Sequence, residues 1–173
     1  MVGPMGFRSE PLGDHDRSAF SCGIDALDGY FRNHISQDQR RKLAAPYVLM
    51  ESEAGAIVGF YTLSSFTIGF SSLPETTIRR LPKYREFPAI LIGRLALDRR
   101  YQGRGLGRRL LLDALFRCLA ISRQLGAMAV VVDAKDESAR AFYRHLGFLP
   151  FLDHDLRLYL PMAAIARLLA AEE

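Results

Sequence analysis

The chain has 173 residues, 49% of them hydrophobic, with 23 Lys or Arg against 19 Asp or Glu and a formal net charge of +4. That length supports one α/β core and is too short for two full domains, so residues 1–173 are expected to form a single domain. No apolar run reaches membrane-span length, the four histidines show no ligand spacing, and Cys22 and Cys118 form no CxxC pair and follow no signal-peptide pattern, which excludes metal and membrane classes and points to reduced thiols in the cytoplasm.

Phe7 to Pro11 reads as a first strand, and the polar turn Gly13 to Asp16 leads to a helix from Asp25 to about Lys42. Tyr47 to Met50 and Ala56 to Ser64 read as strands of a hairpin turning at Glu53-Ala54-Gly55. A less regular stretch holds Pro74, Pro82 and Pro88. Ala89 to Leu97 follows, apolar on both faces except at Arg94 and therefore expected to be buried. Gly105 to Leu125 reads as a long helix with a stripe at Leu106, Leu110, Ala114, Cys118 and Leu125, ended by Gly126. Ala127 to Ala134 is a second wholly apolar strand, so Ala89 to Ala134 has the form of a parallel βαβ crossover. Asp136 is a natural N-cap for a helix carrying Ala139, Phe142 and Leu146 on one face, with Gly147 beyond its end. Phe148 to Leu149 and Leu156 to Leu160 read as a closing strand pair, and Pro161 starts a terminal helix through Ala171.

Between the central strand and the long helix lies Arg99-Arg100-Tyr101-Gln102-Gly103-Arg104-Gly105-Leu106-Gly107-Arg108-Arg109. A strand, a glycine-rich turn and a helix start aim unpaired N–H groups and the positive end of the helix dipole at one spot, which suits phosphate. Gly107 is followed by two arginines instead of Lys-Ser/Thr, so this is no Walker loop. The spacing is GxGxG, not GxGxxG, and the acid at the relevant range, Asp133, is too far along for a dinucleotide fingerprint. A glycine turn that merely caps a basic helix stays open on these residues alone.

The spacing Gln102-x-x-Gly105-x-Gly107 resembles the acetyl-CoA pyrophosphate loop of the GNAT family of N-acetyltransferases. Asp136-x-x-Ala139-x-x-x-Tyr143-x-x-x-Gly147-Phe148 resembles the other half of that family's signature, with Asp136 where Asn is more usual. The resemblance implies a mixed α/β fold, with a mostly antiparallel sheet, a splayed parallel strand pair and flanking helices. It implies acetyl-CoA as donor, with no metal, held by Leu95, Ala96, Leu97, Gln102, Gly103, Arg104, Gly105, Leu106, Gly107, Arg108, Asp133, Ala134 and Phe142. Tyr143 is then the general acid that protonates the departing thiolate. A Tyr143 that only fills the core edge is the bland alternative.

Charge narrows the acceptor. From Arg79 to Arg109 the chain carries ten Lys or Arg against Glu86 and Asp98. CoA phosphates need only part of that excess, so a second polyanion, most simply nucleic acid, is expected, with Arg79, Arg80, Lys83, Arg85, Arg94 and Arg99 as contacts. A solvated basic face is the competing reading. Attack on a thioester needs a neutral amine. A lysine is neutral in about one molecule in 2,500 at pH 7 and an α-amine in about 10–17%. The central strand offers no base, and Asp98 at its end sits beside Arg99 and Arg100, which favours an α-amine acceptor. The run Gly93 to Gly107, Val132-Asp133-Ala134, Ala141-Phe142-Tyr143 and His15-Asp16 to Gly23 resemble the acetyltransferase toxins of bacterial type II toxin-antitoxin modules. That resemblance implies acetylation of the α-amine on charged tRNA, translation arrest, a ribbon-helix-helix antitoxin and a homodimer. Acetylation of a small amine or a protein N-terminus, and a non-catalytic acyl-CoA-sensing module, are the alternatives.

Overall fold

The computed structural model describes residues 6–173. The elements run β1 (Phe7–Pro11), α1 (Asp25–Asn33), α2 (Ile35–Arg40), β2 (Ala45–Glu51), β3 (Ile57–Gly69), α3 (Glu75–Ile78), β4 (Glu86–Leu97), α4 (Leu106–Ser122), β5 (Ala129–Asp133), α5 (Glu137–His145), β6 (Leu149–Pro150), β7 (Arg157–Pro161) and α6 (Met162–Ala170). The strands form one seven-stranded sheet in the order β1-β2-β3-β4-β5-β7-β6. Pairing is antiparallel for β1 with β2, β2 with β3, β5 with β7 and β6 with β7; β4 and β5 are parallel, as a crossover through α4 requires. The fold is thus the mixed, mostly antiparallel α/β arrangement expected.

The chain divides into two compact units, one formed by the described residues up to Ser64 with Gly93–Ala114, the other by Ser65–Ile92 with Leu115–Glu173. In the first, Phe20, Phe31 and Phe60 form the centre of the core. Phe31 stacks on Phe60 at 4.2 Å, and Phe20 meets both edge-on. Gly59 of β3 lets the C-terminal part of β4 approach closely: a Cβ there would stand 2.8 Å from the Ala96 carbonyl oxygen and 2.9 Å from Leu110 Cδ2. Asp113 of α4, only 3% exposed, accepts from Tyr61 Oη (2.7 Å) and Ser9 Oγ (2.6 Å), so its buried carboxylate is hydrogen-bonded.

In the second unit, Ala89 to Ile92 of β4 pair with Ala129 to Val132 of β5, and β5 pairs along its other edge with β7. The parallel register stops at Ile92 although β4 runs on to Leu97. Ile68, Leu73, Phe87, Ala129, Val131, Phe151 and Tyr159 form the core of this unit. Helix α5 starts at Asp136, whose side chain accepts from Ala139 N–H (2.8 Å). It ends with Gly147 at φ +101, Gly147 N–H on Arg144 C=O and Phe148 N–H on Tyr143 C=O, the paired bonds of a Schellman stop.

Four local expectations need correction. The helix from Asp25 to Lys42 is broken at His34, because Arg17 Nη1 takes the Phe31 carbonyl (3.0 Å) that an unbroken helix would offer to Ile35 N–H. The stretch with Pro74 and Pro82 contains α3, and β3 and β4 extend beyond the expected limits to Gly69 and back to Glu86. Leu125 lies past the end of α4 and is 69% exposed, so it is not part of the stripe whose Leu110, Ala114 and Cys118 are buried. Finally, β4 is not buried along its whole length. Gly93 is exposed and Arg94, Leu95 and Leu97 are half-buried, where pairing with β5 has ended.

Gly59→Ala tests the close approach of β3 to β4. One flanking atom is backbone and the other belongs to a fully buried leucine, so a loss of about 2 kcal/mol or more is expected from denaturant unfolding. Gly126→Ala, whose Cβ would meet nothing within 4 Å, serves as the control.

Candidate active site

The end of β4 is locked by one carboxylate. Asp98 is 2% exposed; its Oδ1 accepts from Arg100 N–H and Arg100 Nε (both 2.9 Å), and its Oδ2 accepts from Arg100 Nη2 (3.1 Å) and Ser21 N–H (3.2 Å). Burial works against its charge, but the Arg100 fork and the two N–H groups outweigh it and hold the carboxyl below its usual value. Asp98 is therefore a fastening, poorly suited to act as a base. A short 3-10 turn, Arg99 to Tyr101, follows. Arg99 N–H donates to the Ser21 carbonyl (2.9 Å), and Tyr101 Oη donates to Glu51 (2.6 Å). Gln102 Nε2 donates to the carbonyls of Cys22 (3.1 Å) and Leu97 (3.0 Å), so the glutamine amide ties the loop to protein.

Past Gln102 the backbone enters left-handed conformations at Gly103 (φ +78) and Gly105 (φ +75), then opens α4 at Leu106. A Cβ on Gly103, Gly105 or Gly107 would meet nothing within 4 Å. Backbone geometry explains the first two glycines. Gly107 is different: it lies in the first turn of α4, without positive φ and without crowding, where glycine costs about 1 kcal/mol against alanine. A bare backbone at a helix N-terminus, facing open space, fits an anionic ligand that must approach closely. Arg104 lies over the Tyr101 ring at 5.6 Å, and Arg108 is exposed at the start of the helix.

Tyr143 belongs to the other unit. Its residue is 8% exposed and its ring is wedged between Phe142 (5.4 Å) and Phe148 (5.4 Å). The four other buried tyrosines, Tyr30, Tyr61, Tyr101 and Tyr159, bond through their hydroxyls to Asp38, Asp113, Glu51 and Thr77. Among the described residues nothing hydrogen-bonds the Tyr143 hydroxyl, and no such atom is left both sealed and unpaired. A ring packed this deeply with an uncommitted hydroxyl has that group available for an incoming molecule. Burial, followed by the negative charge of Asp133, pushes its pKa up to about 12, which keeps the phenol protonated.

The remaining candidates divide. Ala96 is 5% exposed, and the backbone of Leu95 and Leu97 lies on the part of β4 beyond the β5 register; the Leu97 carbonyl already accepts from Gln102. Asp133 is exposed but gripped by Arg157 Nε (2.7 Å) and Nη2 (3.2 Å), and Ala134 N–H donates to the Leu156 carbonyl (2.7 Å). Arg94 is turned onto protein, its guanidinium 3.6 Å over the Tyr30 ring, and Arg99 Nη2 donates to Ser21 Oγ (2.8 Å). Arg79, Arg80, Lys83 and Arg85 are exposed together in the second unit. Arg157, which grips Asp133, had no sequence signal: its partner is 24 positions away and is reached only through the β5–β7 register.

Among the described residues no group of three or more His, Cys, Asp or Glu could hold a metal, and no helix is long and apolar enough to cross a membrane. Residues 14–148 match the Acetyltransferase (GNAT) family. A probable toxin TacT of Sinorhizobium fredii (strain NBRC 101917 / NGR234) is 34% identical over 169 residues, 92% of this chain and 93% of that one. A tRNA-acetylating toxin of Mycobacterium tuberculosis (strain ATCC 25618 / H37Rv) is 38% identical over 138 residues, 77% of this chain and 78% of that one. Among solved structures, AtaT complexed with acetyl-methionyl-tRNAfMet superposes with a TM-score of 0.86 at 30% identity, covering 94% of this chain and 98% of AtaT. AtaTR bound with AcCoA gives 0.82 at 30% identity (94% and 98%), and an AtaT mutant bound to the C-terminus of the antitoxin AtaR gives 0.81 at 28% (94% and 98%).

Gly107→Ala separates a ligand-imposed glycine from a structural one. The substitution is expected to raise stability by up to about 1 kcal/mol, since it improves helix propensity where nothing crowds it. It is expected to weaken acetyl-CoA binding at the same time, read by calorimetric titration. Unchanged acetyl-CoA affinity would leave Gly107 without a ligand role.

Proposed function

The chain belongs to the acetyltransferase (GNAT) family, and on that premise we propose that it is an acetyl-CoA-dependent toxin that acetylates the α-amine of aminoacyl-tRNA and so blocks translation. Its likeness to the tRNA-acetylating toxin and to tRNA-bound AtaT supports this acceptor. The observation that carries the chemistry is Tyr143, the buried tyrosine whose hydroxyl has no hydrogen-bond partner among the described residues.

Acetyl-CoA, when bound, supplies an activated acyl thioester. The backbone N–H groups of Gly103 to Arg108, at the positive end of α4, hold its pyrophosphate, with Arg104 and Arg108 adding charge and Gln102 keeping the loop in place. Leu95, Ala96 and Leu97 would offer strand edge to its arm, and the family resemblance assigns Asp133, Ala134 and Phe142 to the same cofactor. Tyr143 Oη holds the proton that the departing sulfur needs. Burial keeps that phenol protonated until a partner takes the proton. No strong base is required on the acceptor side, because the α-amine of an ester is already partly neutral at pH 7.

The AtaT structure with AtaR supports an antitoxin partner. We assign it the ribbon-helix-helix class, covering the active site, and assign the enzyme a homodimeric state in the cytoplasm, with residues 1–173 as one domain.

Single-turnover transfer of labelled acetyl to aminoacyl-tRNA tests the reading. Tyr143→Phe is expected to bind acetyl-CoA normally and to lose about 10²- to 10⁴-fold in rate; an unchanged rate removes Tyr143 from the mechanism. The pH profile is a second test. The acid works while protonated and its pKa is raised, so the rate is expected to climb as the amine deprotonates and then stay level through pH 10. A fall centred near the ordinary tyrosine value of about 10 would contradict this role.

A further inference from the structure

On the reading that the acceptor is an acylated RNA, we propose that Tyr84 is a stacking platform for unpaired nucleotides of that RNA, assisted by Phe70. Tyr84 is 63% exposed and Phe70 43%. The segment between α3 and β4 is anchored from beneath: Ile78 and Leu81 pack on the core, and Phe87 is buried in it. Pro82 and Pro88 limit its freedom, and Tyr84 N–H donates to the Pro82 carbonyl (2.8 Å). Phe87 supports the Tyr84 ring from 6.1 Å at 33°. The turn carrying Phe70 is fastened to the same segment, with Phe70 N–H on the Arg85 carbonyl (2.8 Å).

Cations flank Tyr84 along the chain. Arg79, Arg80, Lys83 and Arg85 are all exposed, against Glu75 and Glu86. Arg79 is drawn to Glu75 (3.0 Å), whereas Arg80, Lys83 and Arg85 have no ion-pair partner among the described residues. A supported aromatic face flanked along the chain by free cations complements a chain of phosphates with open base faces. A duplex hides its base faces within the stack, so the feature suits unpaired nucleotides over paired ones. The unpaired part of a charged tRNA acceptor arm is the 3′ end that bears the aminoacyl group.

The test compares the full-length wild type with Tyr84→Ala, Tyr84→Trp and Lys83→Gln, on an acceptor-stem minihelix with an unpaired 3′ end and on the same stem made blunt. Binding is read by fluorescence anisotropy across a salt series. The wild type is expected to prefer the unpaired end. Tyr84→Ala should weaken that complex roughly 5- to 150-fold, leave the blunt stem unaffected and keep the salt slope, while Tyr84→Trp retains affinity. Lys83→Gln should weaken both RNAs and reduce the slope by about one. Binding of the unpaired end by Tyr84→Ala within twofold of wild type, equal losses on both RNAs, or binding of neither RNA by the wild type would each overturn the proposal. Acetyl transfer to charged tRNA by the wild type distinguishes the two levels: its absence defeats the function proposed above, whereas its presence with normal RNA binding by Tyr84→Ala defeats only the platform.

Discussion

The buried carboxylate of Asp98 is the constraint on which the loop proposed to hold the cofactor depends. A strand that ends facing a ligand needs its last residues fixed while the chain reverses into a helix. Asp98 does this by taking both arms of Arg100, the Arg100 N–H and the N–H of Ser21, about 77 positions away in sequence. Hydrogen bonds to a charged group are each worth about 1.5–3 kcal/mol. The price is a charge taken out of water, which only this full set of partners makes tolerable. The same segment receives Gln102 and Arg99, so β4, the turn and residues 21–22 form one brace behind Gly103 to Gly107.

Polar side chains elsewhere follow a consistent rule, and the exception is informative. Asp113 with Ser9 and Tyr61, Glu51 with Tyr101, Asp38 with Tyr30 and Asp133 with Arg157 are all matched inside the protein. Tyr143 is as buried as Tyr30 and Tyr101, and among the described residues its hydroxyl is not matched. Its raised pKa preserves the proton. With Asp98 held ionised and tied down, that carboxylate is a poor base, which favours an acceptor amine that loses its proton easily, as the ester-linked α-amine of charged tRNA does.

What could be read from the sequence was what depends on neighbours along the chain. Gln102, Gly105 and Gly107 carry a spacing; Asp136 and Gly147 mark the ends of α5 because caps are local. The apolar runs at Ala89 and Ala127 foretold a parallel pair because burial on both faces leaves no alternation, though β4 emerges from it beyond Ile92. Contacts between distant segments were not legible. The break at His34 comes from Arg17 reaching a carbonyl 14 positions away, and a continuous apolar period hides it. Arg94 reads as one more cation in a basic strip until Tyr30 is found beneath it. Gln102 reads as a motif residue of the loop, and only the fold shows that its amide nitrogen donates to Cys22 and Leu97. Motifs name the residues, and only the fold says which atoms of them remain available.

The central claim is that acetyl goes to an α-amine carried on RNA. The most direct measurement is transfer from labelled acetyl-CoA with charged tRNA, deacylated tRNA and a lysine-rich peptide offered side by side. Label on charged tRNA alone, released by mild base as an N-acetyl amino acid, is the result this account requires. Label on the peptide, with charged tRNA untouched, would contradict it and make the basic strip a solvated surface on a protein acetyltransferase.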